Sequence, residues 1–460
     1  MTIKRLLIAN RGEIAVRIVR AAKAMGIETI QVYSEADADM LACKQADVTV
    51  CVGGAAAKDS YLNISNILDA AKEMDADAVH PGYGFLAESA EFAQAVVDAG
   101  MIWVGPAAIT IGQMGDKVAA RQAAQAAGVP VVPGSQGRID KIDEAVEVAE
   151  RIGYPVMIKA AAGGGGKGIR IARDATELRS LAPQAQTEAA AAFGDGGLYL
   201  ERAIQSPRHI EVQIMGDGTD AVHFFERECS LQRRRQKVWE EAGADCLDEA
   251  TRAKLCDTAV SLAKAVDYCG AGTLEYLYDD MSKQFYFIEM NTRIQVEHPV
   301  TEMITGVDLV QEMIKVCGGE KLSHKQSEIT RTGHAIEVRL NAEDPHMQFM
   351  PWPGKVTSLK IPEGDGIRFD HFLYEGYQIP PFYDSLIGKL IVHGTDRVDA
   401  IRKMAIALED VEIGGLKTTI PLHKALCKDE VVASGAFHTQ WLEPWLAAGN
   451  LTRPREKGAI

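Results

Sequence analysis

A stretch of ten residues beyond the middle of the chain carries a dense set of side chains able to do chemistry. It begins at Glu289, reads E-M-N-T-R-I-Q-V-E-H, and follows the strand-like run Q-F-Y-F-I-E. Glu289 and Asn291 lie two residues apart, so on an extended chain both point to one side, where oxygen ligands suit Mg²⁺. Arg293 and Glu297 beyond them have the chemistry to hold and to deprotonate a small oxyanion. The alternative is a charged surface loop.

A second acidic residue, Glu275, lies in the alternating run G-T-L-E-Y-L, which predicts another strand. The turn-like segment 278–283 separates it from the strand that ends at Glu289, so the two strands are expected to pair antiparallel. Carboxylates that face each other on adjacent strands repel unless a cation lies between them. We therefore predict that Glu275 and Glu289 share Mg²⁺, with Asn291 on the same side.

Four consecutive glycines lie in A-A-A-G-G-G-G-K-G, residues 160–168, between two strand-like runs, 156–159 and 169–171. Such a loop tolerates any φ, lets backbone N–H groups approach phosphate closely, and can move as a lid. It is not a Walker A loop, because no helix follows with G-K-[S/T]. The alternative is a flexible hairpin tip.

The first hundred residues alternate strands and helices, and this βαβ pattern predicts a doubly wound parallel sheet. The dinucleotide fingerprint G-x-G-x-x-G is missing after the first strand, which argues against a Rossmann oxidoreductase. The run V-P-V-V-P-G, 129–134, is typical of a linker into a new domain. The predicted strands are 5–9, 27–33, 48–52, 78–80 and 102–104, and the predicted helices are 13–25, 64–74 and 88–99.

Size and composition bound the answer further. A chain of 460 residues is too long for one core, and about three domains are expected. The net charge of −15 argues against nucleic acid as a partner. The eight cysteines form no C-x-x-C and no zinc spacing, which favours a reducing cytoplasm. No apolar run approaches the ~18 residues of a membrane span, and the apolar run at the N-terminus is too short for a signal peptide.

Taken together, these segments resemble the biotin carboxylases of the ATP-grasp superfamily. The resemblance runs from Lys4 to about Leu442 and includes I-A-N-R-G-E-I, H-P-G-Y-G-F-L, E-C-S-L-Q-R-R-R-Q-K and G-H-A-I-E-V-R-L-N-A-E-D-P. It implies an α/β ATP-grasp fold in four parts. These are a doubly wound pre-ATP-grasp domain (1–115), a helical linker (116–130), a small α+β lid domain with the glycine-rich loop (131–203), and a large C-terminal α+β domain (204–447).

The resemblance also implies an activity: ATP-dependent carboxylation of biotin by bicarbonate, through carboxyphosphate. It implies ATP, Mg²⁺ (or Mn²⁺), bicarbonate and biotin as cofactors and substrates. The expected partners are a biotin carboxyl carrier protein, a carboxyltransferase subunit and a second copy of the chain, with no nucleic acid and no membrane. Acetyl-CoA carboxylase, and so fatty acid biosynthesis, is the expected setting. Propionyl-CoA and pyruvate carboxylases share this component, and the sequence does not choose between them.

Residue roles follow from the matching positions. The resemblance makes Glu297 the base that activates bicarbonate, Arg293 its holder, Arg339 the group that stabilises the biotin enolate, and Lys237 a cation near the transferred phosphoryl group. Glu275, Glu289 and Asn291 are its metal ligands. The residues expected to bind nucleotide, bicarbonate or biotin are Lys117, Lys159, Gly164, Gly165, Gly166, Gly168, Glu201, Ile204, His209, Gln232, Arg235, Gln295, Val296 and Tyr83.

Other readings stay open. Carbamoyl phosphate synthetase and carboxylate–amine ligases share the fold, although the first has two such halves and this chain has no repeat. A non-catalytic nucleotide-binding regulator is a rival of another class.

Arg235 departs from the family, which has His or sometimes Asn there. It either adds a charge-assisted contact to the nucleotide, or turns into solvent or pairs with Glu240 or Glu241.

The resemblance also extends to a dimer interface. Arg17 and Arg20 match interface arginines of the family, and Arg368 is expected beside them. Ala24 and Asp365 depart from the family pattern, so altered contacts are expected.

Overall fold

The computed structural model describes residues 3–160, 170–193 and 196–451. The described residues pack as two compact units. Unit 1 draws on Met1–Val129, Arg208–Tyr276 and Glu289–Ile460, and unit 2 on Pro130–Pro207 and Leu277–Ile288. The predicted division at 115, 130 and 203 stays a prediction. Gly164, Gly165, Gly166 and Gly168 lie outside the described residues.

The N-terminal part of unit 1 contains a parallel sheet of five strands, as predicted. The strands lie in the order β3-β2-β1-β4-β5, and every pairing is parallel. Leu6, Leu7 and Ile8 of the central strand are fully buried because helices cover both faces of the sheet. The elements are β1 (Arg5–Ile8), α1 (Gly12–Ala24), β2 (Glu28–Tyr33), α2 (Leu41–Gln45), β3 (Val48–Cys51), α3 (Ile64–Glu73), β4 (Ala78–His80), α4 (Ala90–Asp98), β5 (Ile102–Trp103), α5 (Ala108–Gly115) and α6 (Lys117–Ala126).

Unit 2 has its own small core. A three-stranded sheet in the order β7-β6-β8 packs against two helices, and both pairings are antiparallel. The strands on either side of the glycine segment therefore pair with each other, as expected for a hairpin. The elements are α7 (Ile142–Ile152), β6 (Val156–Ala160), β7 (Arg170–Ala172), α8 (Ala175–Phe193) and β8 (Leu198–Arg202).

The rest of the chain is organised around an eight-stranded sheet in the order β13-β12-β9-β10-β11-β14-β19-β18. Its strands are β9 (Arg208–Asp217), β10 (Ala221–Arg233), β11 (Gln236–Ala242), β12 (Cys269–Asp279), β13 (Gln284–Asn291), β14 (His334–Asn341), β18 (Ile367–His371) and β19 (Leu386–Gly394). Short strands β15 (Glu343–Asp344), β16 (Met350–Pro351), β17 (Ser358–Lys360) and β20 (Glu412–Gly414) pair outside it. The helices are α9 (Glu249–Ala265), α10 (His298–Thr305), α11 (Leu309–Cys317), α12 (Arg397–Asp410), α13 (Ile420–Leu426), α14 (Glu430–Ser434) and α15 (Leu442–Ala447).

Alternation along β9 explains how this sheet carries charge into the interior. Ile210 and Val212 lie on one face of the strand, and His209 and Glu211 lie on the other, yet all four are buried. A buried charged face must find partners within the protein, because an unpaired charge away from water is costly.

Among the described residues, no helix is long and apolar enough to cross a membrane.

Candidate active site

The charged faces of β9, β10, β11 and β12 meet in the interior of unit 1. Arg227 on β10 is directly opposite Glu211 on β9, and its Nε donates to Glu211 at 2.6 Å. The Arg227 guanidinium also donates to Gln213, Thr273 and Thr301, so this fully buried cation has four partners. Arg227 therefore fixes the position of Glu211.

Lys237, on β11, is the centre of the site. Its Nζ donates to three buried carboxylates, Glu211 at 2.6 Å, Glu297 at 2.6 Å and Glu275 at 2.9 Å. Burial lowers the pKa of Lys237, but attraction to the three carboxylates outweighs burial and raises that pKa well above its ordinary value. Lys237 is thus a permanent cation, as its expected role near a transferred phosphoryl group requires.

Glu297 is fully buried between two cations. One oxygen accepts from Lys237, and the other accepts from Nη2 of Arg339 at 3.0 Å. Burial raises the pKa of Glu297, and attraction to Lys237, Arg339 and Arg227 overcomes it, so the net shift is downward. Glu297 is therefore an ionised carboxylate near neutral pH, the form that a general base must have.

Arg339 extends from β14 and bridges two carboxylates. Its Nε donates to Glu240 at 2.6 Å while Nη2 holds Glu297. The carbonyl oxygen of Arg339 accepts from Thr419 and lies 2.8 Å from the ring of His423, so its backbone is also anchored. The structure brings Arg339, Glu297 and Lys237 together, while their catalytic roles stay predictions.

The loop after β13 holds the remaining residues of the signature. Arg293 donates to Gln295 at 2.8 Å and to Asn291 at 3.1 Å, and its Nε contacts Glu88 at 2.9 Å. Gln295 in turn donates to Glu275 at 3.2 Å. The loop is therefore connected to the Lys237 cluster through Gln295.

The backbone of this loop is fixed by residues of β19 and α10. The carbonyl of Val296 accepts from the fully buried Lys389 at 2.7 Å, and the carbonyl of Gln295 lies 2.7 Å from Nδ1 of His298. The Val296 and Gln295 backbone is thus held rigidly, which is the property needed to position a small anion.

The predicted metal ligands meet one test of fit. Partial burial and repulsion from Glu275 raise the pKa of Glu289, and a divalent cation between the two carboxylates would relieve that repulsion. Asn291 has a buried amide nitrogen with no hydrogen-bond partner in the described part of the chain, while its Oδ1 accepts from Arg293. A tighter grouping with metal-ligand spacing consists of His209, Glu211 and Glu275.

That tighter grouping is explained by ion pairing alone. Nε2 of His209 lies 3.4 Å from both Glu211 and Glu275, and Lys237 contacts the same two carboxylates. Burial lowers the pKa of His209, but its acidic neighbours raise it overall to about 9. With Arg227 on Glu211, three cations therefore contact this pair of carboxylates. His209 makes these contacts within the protein, and its predicted contact to the nucleotide stays a prediction.

Several predicted binding residues lie at structural boundaries. Lys117 is the first residue of α6, whose N-cap is Asp116. The Tyr83 hydroxyl donates a short hydrogen bond to Glu13, so this hydroxyl already has a partner within the protein. Gln232 donates to the carbonyl of Cys229 at 2.8 Å. In unit 2, Lys159 and Glu201 form a short ion pair on adjacent strands, and the half-buried Ile204 follows them.

Arg235 lies at the tip of the hairpin between β10 and β11. Arg234 and Arg235 have φ of 49° and 67° and form the two-residue turn, while Arg233 pairs with Gln236. Left-handed φ at both positions is the geometry of a type I′ turn, which Asn and Gly adopt more readily than Arg. The side chain of Arg235 is exposed.

The alternative that pairs Arg235 with Glu240 or Glu241 is wrong. Glu240 is bound to Arg339, and Glu241 accepts from Arg397 and Trp239. Both carboxylates are buried and already occupied, and the hairpin turn carries Arg235 to the solvent.

Sequence reasoning missed residues that complete the site, namely Glu211, Arg227 and Glu240. A signal for Glu211 was present, because in R-H-I-E-V-Q it lies two residues after His209 and so on the same strand face. Arg227 and Glu240 had no such signal, since their roles depend on which strands become neighbours.

Comparisons with known proteins agree with this geometry. The family models that match are "Biotin carboxylase, N-terminal domain" over residues 2–111, "Carbamoyl-phosphate synthase L chain, ATP binding domain" over 116–325, and "Biotin carboxylase C-terminal domain" over 337–444. The chain is 52% identical over 449 residues to biotin carboxylase 1 of Bacillus subtilis, which covers 97% of this chain and 100% of that protein.

Solved structures give the same result. The biotin carboxylase domain dimer of Hydrogenobacter thermophilus 2-oxoglutarate carboxylase, in complex with MgADP, ADP and bicarbonate, is 45% identical with a TM-score of 0.87, covering 99% of this chain and 100% of that one. The biotin carboxylase subunit of a pyruvate carboxylase is 45% identical with a TM-score of 0.91 and the same coverage.

Proposed function

The chain belongs to the biotin carboxylase family, and from this premise we propose that it supplies the first half-reaction of an acetyl-CoA carboxylase. A biotin carboxylase attaches the carbon of bicarbonate to biotin on a carrier protein and cleaves ATP to ADP and phosphate. Similarity over nearly the whole chain to proteins named biotin carboxylase supports this half-reaction, and acetyl-CoA is the acceptor that we propose for it. The chain is also similar to domains of 2-oxoglutarate and pyruvate carboxylases, so the experiment on the acceptor described below includes other acceptors.

The observation that carries the proposed mechanism is the buried, ionised Glu297 held by Lys237 and Arg339. We assign Glu297 as the base that takes the hydroxyl proton of bicarbonate. The oxyanion so formed attacks the γ-phosphorus of ATP, the bond to the bridging oxygen breaks, and ADP leaves. Lys237 offsets the negative charge that develops in this transfer, so its contribution is electrostatic.

The second stage uses Arg339. Carboxyphosphate breaks into CO₂ and phosphate, the phosphate takes the N1 proton of biotin, and N1 then bonds to CO₂. We propose that Arg339 stabilises the negative oxygen of the biotin enolate through its guanidinium. Within the described part of the chain, Nη1 of Arg339 has no hydrogen-bond partner, so this nitrogen has a donor to offer a ligand.

Bicarbonate is assigned to the loop after β13. Arg293 would hold it by two parallel hydrogen bonds, and Gln295 with the backbone of Val296 would orient it. Glu275, Glu289 and Asn291 would hold Mg²⁺, which would neutralise phosphate charge. Lys117, Lys159, Glu201, Ile204, His209 and Gln232, with the glycine segment, are assigned to ATP, and Tyr83 to the border of the biotin pocket.

Two substitutions test the mechanism because they should fail differently. Glu297→Gln should lower bicarbonate-dependent ATP cleavage by roughly 10²–10⁴-fold, since a general base is lost. Arg339→Ser should lower biotin carboxylation while nucleotide binding persists. Near-normal carboxylation by Glu297→Gln would refute its assignment. An enzyme whose ATP cleavage depends on neither bicarbonate nor biotin would refute the proposed function and favour a regulator.

The acceptor is tested with the assembled enzyme. The chain is purified together with its carrier and carboxyltransferase, and labelled bicarbonate is supplied with acetyl-CoA, propionyl-CoA or pyruvate in separate reactions. We expect label in malonyl-CoA. Label only in another product would replace acetyl-CoA by that acceptor.

We further propose that the chain acts as a homodimer in the cytoplasm. Arg17 and Arg368, two of the predicted interface arginines, both bind Glu302, at 2.8 Å and 2.7 Å, which supports their assignment as neighbours. The eight cysteines are all free thiols, in keeping with a reducing compartment. Sedimentation as a monomer at micromolar concentration would contradict the dimer.

A further inference from the structure

Two buried glutamates beside Arg339 have no role in the mechanism above. Glu240 on β11 and Glu337 on β14 are directly opposite each other in an antiparallel ladder. Side chains opposite in such a ladder share one face of the sheet, with Cβ atoms about 4.5–5.5 Å apart. Neither residue is exposed to solvent. Two carboxyl groups are therefore held side by side in the interior.

If both glutamates are ionised, their carboxylate oxygens outnumber the hydrogen-bond donors around them. Arg339 donates to one oxygen of Glu240, but the other oxygen of Glu240 and both oxygens of Glu337 have no partner among the described residues. Three buried acceptors without donors would be very costly. A single proton on Glu337 reduces the three unpaired acceptors to one, because its O–H would donate to the unpaired oxygen of Glu240.

The surrounding charges favour this placement of the proton. Arg339 bonds to Glu240 and so stabilises its negative form. Lys237 is a second cation near Glu240. The nearby anion is Glu297, and the nearby thiol is that of Cys229 on β10. Glu337 faces Lys389 of β19, but that ammonium is already shared by Glu13 and the carbonyl of Val296.

The direction of each pKa shift agrees with a proton on Glu337. Burial outweighs the attraction of Lys389 and raises the pKa of Glu337 well above its ordinary value. Burial and repulsion from Glu297 raise the pKa of Glu240 to about 7, although Arg339 lowers it. Glu337 is therefore the member that keeps the proton.

We propose that Glu240 and Glu337 form an acid–carboxylate pair with one shared proton, and that this pair is the positioning device for Arg339. The idea rests on the proposed role of Arg339 in the biotin step. When Glu297 takes the proton of bicarbonate, it loses its charge and its hold on Arg339 weakens. The ionised Glu240, kept in place by the acidic O–H of Glu337, still binds Nε and keeps the guanidinium oriented.

Infrared spectroscopy tests the proton without turnover. A neutral carboxylic acid has a carbonyl stretching band that is separate from carboxylate bands and shifts in D₂O. The spectrum of the wild type minus that of Glu337→Gln at pH 7 should contain this band. Glu312→Gln is the control, because Glu312 is buried but accepts hydrogen bonds from Ser323 on both oxygens and should give no acid band. An absent band in the Glu337→Gln difference overturns the proposal.

The pH dependence of stability provides a second readout. A carboxyl group with a raised pKa stabilises the fold below its ordinary pKa, and this contribution is lost as the pH rises through the folded pKa. Gln needs no proton, so the melting temperature of Glu337→Gln minus that of the wild type should increase from pH 5 to pH 8. A difference that is constant with pH contradicts a proton on Glu337.

Activity then separates positioning from folding. Glu337→Gln keeps an N–H donor for Glu240 and should carboxylate biotin within about threefold of the wild type, whereas Glu337→Leu has no donor and should lose about tenfold. Bicarbonate-dependent ATP cleavage without biotin should persist in both. Equal carboxylation by the Gln and Leu variants would overturn the positioning role. A wild type without biotin-dependent turnover would refute the proposed function but leave the infrared result to decide on the shared proton.

Discussion

Removing the ammonium group of Lys237 is the sharpest test of the cluster as an electrostatic unit. In Lys237→Met the apolar stem is kept, but Glu211, Glu275 and Glu297 lose their common partner. Breaking a buried ion pair by removing one member costs about 3–5 kcal/mol, because the remaining charge is left uncompensated. We expect the free energy of unfolding to fall by about that amount at pH 8.

The dependence on pH identifies the cause. In the wild type, burial raises the pKa of Glu275 and Glu297, but Lys237 and its neighbours lower both overall. Their stabilisation is therefore complete above the ordinary pKa of about 4.5 and is lost only in more acidic solution. In the variant, burial dominates and the pKa of at least one carboxylate rises. Its stability then decreases as the pH rises above about 4.5, by up to about 1.4 kcal/mol per pH unit.

The assay is urea denaturation at pH 5 and pH 8, without ligands. We expect a deficit of roughly 1 kcal/mol at pH 5 and about 3–5 kcal/mol at pH 8. The control is Lys264→Met, whose ammonium pairs with Asp220 at the surface and which should change stability by no more than about 0.5 kcal/mol at either pH. An equal deficit at both pH values would refute the electrostatic account and indicate a packing defect.

Three further substitutions probe the neighbouring features. Tyr83→Phe removes the donor to the buried carboxyl of Glu13 and should lower stability by about 1–3 kcal/mol, measured by urea denaturation. Arg235→Gly relieves a left-handed backbone position and should raise stability by about 1 kcal/mol, while nucleotide affinity at low and high salt shows whether the Arg side chain also contacts ATP. Arg17→Leu leaves Glu302 with one cation fewer and should cost about 3–5 kcal/mol, and sedimentation of the same variant reports on the dimer.

The N-terminal sheet was predictable because each of its elements has a local pattern. Short apolar runs alternate with amphipathic stretches, and the predicted strand 27–33 becomes β2 at Glu28–Tyr33, with its start shifted by one residue. Such patterns need no knowledge of distant neighbours. The roles of Glu297 and Arg339 come from their motifs alone and stay predictions.

Contacts that depend on strand register were not predictable. Arg235 was expected at the nucleotide, in solvent, or beside Glu240 or Glu241, since charge alone makes each of these reasonable. The type I′ turn decides against the two glutamates, and nothing in Q-R-R-R-Q-K suggests a turn, because Arg rarely adopts left-handed φ. The position of Glu240 opposite Glu337 has the same origin, as it exists only when β11 and β14 become neighbours.

The ion pair between Arg17 and Glu302 has a consequence for how the enzyme is made. The two residues are 285 positions apart, and Asp308, the other partner of Arg17, lies 291 positions away. A ribosome adding 5–20 residues per second needs roughly 15–60 s to reach them after Arg17 emerges. During that time the N-terminal sheet can assemble, but Arg17 on α1 lacks its acidic partners, Glu302 and Asp308, until they are synthesised. Folding of unit 1 is therefore expected to finish late in synthesis, with the basic face of α1 exposed to the cell until then.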